Sequence, residues 1–181
     1  MKSRKVVALE SCVVRRETSQ ASSGVDWGAL VGRFIIYVPL AGFVINLAIE
    51  LAGSVDDWKV TTLKVGLTWL VGVNGIITGT GHLFMPAPIA ASIGWPTSRF
   101  QWEVGLADLS YGVAGIMAPS FDRGFWLATI VVFSIFMLGA AVGHVRSMIA
   151  EHNFAPGNAG YIFWYDIAAP VLLITLYVLT R

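Results

Sequence analysis

Apolar residues recur in five long runs, at 28–52, 60–84, 98–118, 125–149 and 161–179. Each is close to the roughly 20 residues a helix needs to cross the hydrocarbon of a bilayer. Polar and turn-forming residues separate the runs at Gly53 to Asp57, Pro86 to Pro96, Pro119 to Gly124 and Asn153 to Gly160. The alternation predicts an all-α, polytopic helical membrane bundle of about five transmembrane helices, forming a single domain over 27–181. Residues 1–26 are polar and serine-bearing, and are expected to form a flexible tail or a surface-lying segment. Ser98, followed three residues later by Gln101, predicts a capping box that opens the third helix.

Helical phase then places the few embedded polar residues. In the third run Gly105, Asp108, Gly112 and Gly115 share one face, which directs Asp108 toward a neighbouring helix, with Tyr111 one turn further on. Gly75 and Gly79 form a similar face in the second run, with His82 three residues along. Gly139 and Gly143 make a GxxxG pair in the fourth, where Ala140 and His144 stack one turn apart on an adjoining face. The fifth run carries Asp166 four residues before Pro170. Asn46 and Glu50 lie one turn apart in the first run, where interhelical hydrogen bonding and interface solvation are expected, as for Asn74.

Charge sets the orientation. Lys2, Arg4, Lys5, Arg15, Arg16, Arg33, Arg99 and Arg146 fall on one side of a five-span layout, against Lys59, Lys64, Arg123 and Arg181 on the other. The bias predicts a multi-pass protein of the cell inner (plasma) membrane with a cytoplasmic N-terminus. Trp27, Trp58, Trp95, Trp102, Trp126 and Trp164 lie close to span ends, where interfacial anchoring is expected.

Composition agrees with this reading and removes some functions. Of the 181 residues, 56% are hydrophobic and only 13% charged, against about 25% charged in soluble domains. A net charge of +1 provides no basic surface for nucleic acid. The single cysteine, Cys12, excludes an intrachain disulfide and two-cysteine redox chemistry, and 2–20 lacks the apolar core of a secretory signal.

In the five-span layout His82, Glu103, Asp108, His144, His152 and Asp166 all come out on the cytoplasmic side. Asp108 is the deepest, about 15 Å from Ser98 along the helix, and Glu103 stands about 140° around the helix from it. A charge in hydrocarbon is costly unless it is paired, hydrated or neutralised, so such residues usually face a bundle interior. The expectation is a polar pocket of Asp108, Glu103, His82, His144, Asp166 and Tyr111. A transition-metal ion held by His82, Glu103, Asp108 and His144 is one chemistry that such ligands suit. His-Glu-x-x-His and repeated Glu-x-x-His patterns are absent.

Three strings carry a resemblance: Gly81-His82-Leu83-Phe84-Met85-Pro86, the run from Ile93-Gly94-Trp95-Pro96 to Glu103-Val104-Gly105, and Gly157-Asn158-Ala159-Gly160-Tyr161. They resemble an uncharacterised family of small bacterial integral membrane proteins, known as a domain of unknown function, over roughly the last two-thirds of the chain. This resemblance implies a compact helical membrane domain and no reaction. A fainter likeness to DoxX-type membrane proteins, some associated with quinol oxidation, rests on short helices and a Gly-His-Phe-like turn, which Leu83 interrupts here. Three functions stay open: a pocket-bearing protein that binds a metal ion or small molecule, a proton-linked transporter or permeation unit, and a non-catalytic small subunit. The expected partners are the lipid bilayer and either further copies of the chain or a larger membrane complex; enzyme activity is left open.

Overall fold

The computed structural model describes residues 34–180, which are helical with no strand among them. The expected tail at 1–26, Trp27, Arg33 and Cys12 lie outside the described residues. Among the described residues the helices run α1 (Val38–Ala52), α2 (Trp58–Phe84), α3 (Pro86–Ile93), α4 (Phe100–Met117), α5 (Arg123–Glu151), α6 (Pro156–Ala159) and α7 (Tyr161–Leu179). Three segments, Trp58–Phe84, Arg123–Glu151 and Pro156–Leu179, are long and apolar enough to span a membrane; α1 is a shorter apolar helix.

Local chemistry sets the helix starts. Asp57 accepts the backbone N–H groups of Lys59 and Val60, and Asp122 accepts those of Gly124 and Phe125, so each caps a long helix through its side chain. The expected Ser98–Gln101 box does not form. Helix α4 begins at Phe100 after Arg99 with no side-chain cap, and it is the Ser98 carbonyl that receives the Gln101 N–H.

Helix α2 widens to π geometry over Leu67–Val73, where the Asn74 N–H reaches back five residues to the Trp69 carbonyl. Within this stretch the Leu70 carbonyl accepts a hydrogen bond from the buried Tyr165 hydroxyl of α7 at 2.7 Å. Around this contact Leu63, Leu67, Ile130, Phe133 and Leu173 are fully buried and form the centre of the core.

Helices α2 and α4 meet along a seam of glycines. A Cβ added to Gly75 would lie 2.5 Å from the Asp108 carbonyl oxygen and 2.7 Å from the Gly112 Cα, and one on Gly115 would lie 2.5 Å from the Gly72 nitrogen. Only hydrogen fits there, so the backbones touch. The Gly139–Gly143 pair behaves differently. Among the described residues nothing lies within 4 Å of a Cβ on Gly139, and one on Gly143 meets the Trp95 ring at 3.5 Å.

The two ends of the bundle are closed by different means. At one, Arg123 donates to the Thr180 and Tyr177 carbonyls and Lys59 to the Leu179 carbonyl, placing cations at the C-terminus of α7. At the other, Gly94 (φ 77°) ends α3 in a left-handed turn, with Trp95 N–H bonded to the Ala90 carbonyl and Gly94 N–H to the Ala91 carbonyl. His152 (φ 53°) ends α5 in the same conformation. The two turns bring the α3–α4 and α5–α6 connections together: the Asn153 amide donates to the Ile93 carbonyl at 2.9 Å.

Candidate functional site

Two buried clusters stand inside the bundle. In the first, Asp108 of α4 is 2% exposed and its Oδ1 accepts a hydrogen bond from the Tyr111 hydroxyl at 2.8 Å. The glycine seam accounts for the placement. Gly105, Gly112 and Gly115 bring the face that carries Asp108 against α2, where no water reaches the carboxylate and a neighbouring hydroxyl supplies the donor. Tyr111 is buried in turn, with its ring edge-on to Phe133 at 5.3 Å and its hydroxyl 3.9 Å from the Met137 sulfur.

The second cluster joins α5, α6 and α7. His144 of α5 presents Nε2 to Asp166 Oδ2 of α7 at 3.5 Å, and both side chains are buried. That is ion-pair distance, beyond a strong hydrogen bond, and Asp166 Oδ2 has no other partner. Pro170 has no N–H to give to the backbone carbonyl of Asp166 four residues earlier, so polarity at this point of α7 is doubled.

The far side of His144 is held by Asn158, which is fully buried in α6. Asn158 Oδ1 lies 2.8 Å from His144 Nδ1, while its amide nitrogen donates to the Asn153 carbonyl at 2.8 Å and the His144 carbonyl at 3.3 Å. The Trp95 ring lies 5.4 Å from the imidazole, and its Nε1 donates to Ser147 Oγ at 3.1 Å. Ser147 donates onward to the exposed Glu151 at 2.7 Å. Trp95, 38% exposed, packs beside the site and still reaches the surface, as Trp58, Trp102 and Trp164 do. Trp126 departs from the anchoring expectation, being 6% exposed with its Nε1 bonded to the Ala118 carbonyl.

Of the residues expected to share a pocket, the structure brings His144 to Asp166 and Asp108 to Tyr111. Glu103 is exposed at the start of α4, on a different face from Asp108, and His152 is exposed in the turn after α5. His82 is half-buried at the end of α2, with no hydrogen bond to its Nδ1. Among the described residues no three His, Cys, Asp or Glu side chains come together to hold a metal ion, so the set His82, Glu103, Asp108 and His144 is not assembled. Concavities of about 460 and 320 Å³ run along α5 and α7, walled by residues such as Val131, Ile174, Val142 and Phe163, and none of the expected site residues lines either. Among the described residues Asp108, Tyr111, His144, Asn158 and Asp166 form a buried polar core.

Asn158, Trp95, Ser147 and Tyr165 are the participants that helical phase did not bring forward. Asn158 sits in the Gly157-Asn158-Ala159-Gly160 stretch, whose composition marks only a break between helices. Its burial follows from the docking of α6 against α3 and α5, which no local pattern contains.

A model of DUF6790, a family of unknown function, matches residues 31–181. No curated protein and no solved structure matches the chain. The likeness to DoxX-type proteins is not shown.

Proposed function

This chain belongs to the DUF6790 family, and we propose that it is a multi-pass membrane protein whose closed polar core takes up and releases protons, acting as a proton-linked permeation unit. The observation that carries the reading is the burial of two carboxylates and an imidazole, Asp108, Asp166 and His144, inside a largely apolar helical bundle. Ionisable groups at membrane depth are expensive, and those that face a bundle interior pair with one another and mark ion and proton pathways. Here Asp108 is served by a hydroxyl and Asp166 faces an imidazole, and among the described residues no three His, Cys, Asp or Glu side chains come together to hold a metal. A site with two buried acids and one base suits the proton as its ligand.

The bundle is read as crossing the cell inner membrane five times with a cytoplasmic N-terminus, on the lysine and arginine bias. The His144–Asn158 end then faces the cytoplasm, and the Arg123–Thr180 end faces outward. Proton flux into vesicles reconstituted with the full chain tests the function. Flux above that of empty vesicles, reduced toward their leak in Asp108→Asn and Asp166→Asn, is expected; flux that both substitutions leave unchanged rules the reading out.

A second reading, a small subunit packed against a partner, draws support from one feature. Helix α5 presents the open Gly139 between Ile135 and Val142, which are 71% and 68% exposed. Association in detergent that survives Gly139→Leu removes that reading.

A further inference from the structure

The hydrogen-bonding capacity of Asn158 decides where the protons of His144 sit. Its amide nitrogen lies near two backbone carbonyls, which accept and never donate, so that atom is the nitrogen and the other is the carbonyl oxygen. The oxygen faces His144 Nδ1 at 2.8 Å, and an oxygen with only lone pairs requires an N–H opposite it. Nδ1 therefore carries hydrogen. In the neutral ring Nε2 then presents a lone pair to Asp166 Oδ2 at 3.5 Å, an oxygen that has no other partner. With no proton between them, two buried acceptors oppose each other. With one proton, the pair is satisfied and neutral overall.

We propose that Asn158 is a positioning residue that locks His144 as its Nδ1–H tautomer, and that His144 Nε2 and Asp166 Oδ2 together form a binding site for one proton. The inference rests on the proton-exchanging reading of the core. Loading forms one N–H bond, between a proton from the aqueous phase and the Nε2 lone pair, and gives an imidazolium opposite a carboxylate. Passing the proton inward breaks that N–H bond and forms an O–H bond on Asp166. No electrons are transferred, and the Nδ1 proton stays in place throughout.

The groups that face this pair are consistent with such a port. Asn158 of α6 and the Trp95 ring cover the imidazole, and the exposed Glu151 reaches the same turn of α5 through Ser147. On the inner side Asp166 follows the buried Tyr165 in α7, and the other buried carboxylate of the bundle, Asp108 of α4, holds the Tyr111 hydroxyl. The proton is thus loaded on Nε2 at the α6 end and handed to Asp166.

Imidazole nitrogen-15 magnetic resonance of histidine-labelled protein in lipid vesicles tests the assignment. The chain has three histidines, and the His144 signals are those lost in His144→Gln. The wild type is expected to show a protonated Nδ1 at every pH, with only Nε2 responding to pH. Asn158→Leu should shift the neutral ring toward the Nε2–H tautomer by about tenfold, the worth of one neutral hydrogen bond. Asn158→Asp, which keeps an acceptor oxygen, should retain Nδ1–H. An unprotonated Nδ1 in the wild type overturns the lock, and this spectrum decides the matter even if Asn158→Leu does not fold. An Nε2 response unaltered in Asp166→Asn overturns the shared proton. Failure of the proton-linked function would appear separately, as flux indifferent to both aspartates while the tautomer remains locked.

Discussion

The α2–α4 seam and the α5–α7 contact both enclose a buried aspartate, and they do so by opposite means. Along the first, glycine faces backbone so closely that a single added carbon would overlap a carbonyl or an α-carbon. Along the second, rings and polar side chains stand between the helices, apolar grooves run beside them, and the His144–Asp166 gap is 3.5 Å. Asp108 is fixed by a rigid seam that holds the Tyr111 hydroxyl against it. Asp166 sits in a contact with slack, opposite a group that can gain or lose a proton. The comparison teaches that burial alone does not define a site, and that the looser contact is the one suited to change state.

That contrast can be broken most forcefully at the seam. Gly75→Val places carbons against the Asp108 carbonyl and the Gly112 Cα, neither of which can yield as a side-chain tip would. A loss of about 3 kcal/mol or more is expected, at the upper end of overpacking effects, in reversible unfolding in mixed micelles. A loss below about 1 kcal/mol would show that the seam is not rigid.

A comparable effect is expected at the looser contact, but with a different signature. His144→Ala leaves Asp166 buried opposite nothing and should cost about 3 kcal/mol, whereas replacing both His144 and Asp166 by leucine should recover most of that loss. A double variant as unstable as the single one would mean that the pair is not an energetic unit. The smallest effect is expected at Gly139. With open space beside it, Gly139→Ala should stabilise α5 by about 0.5–1 kcal/mol through helix propensity alone. The opposite sign would place another surface against that face.

Much of this fold is legible from periodicity. The spacing of Gly105, Asp108, Gly112 and Gly115 is a property of one helix, and so is the face it presents. Gly139 and Gly143, read by the same rule, meet no helix backbone among the described residues, because a motif says that close approach is permitted and not which neighbour arrives. The site divides in the same way. Asp108 and Tyr111 are one turn apart and visible together, whereas the partner of His144 comes from α7 and its anchor, Asn158, from a turn. A metal set built from His82, Glu103, Asp108 and His144 required residues on three helices to converge at one point, and depth along a helix does not fix direction around it. The π-helical stretch of α2 and its Tyr165 contact likewise arise from tertiary packing that no local pattern encodes.

Infrared titration of the full chain in vesicles reads the protonation of the buried aspartates themselves, because a carboxylic acid and a carboxylate absorb at different frequencies. The proton-exchanging core predicts a carboxylic acid band that appears and disappears reversibly with pH and is lost or altered in Asp166→Asn and Asp108→Asn. A spectrum in which no carboxyl sensitive to these two substitutions changes protonation at any pH where the fold persists would contradict it.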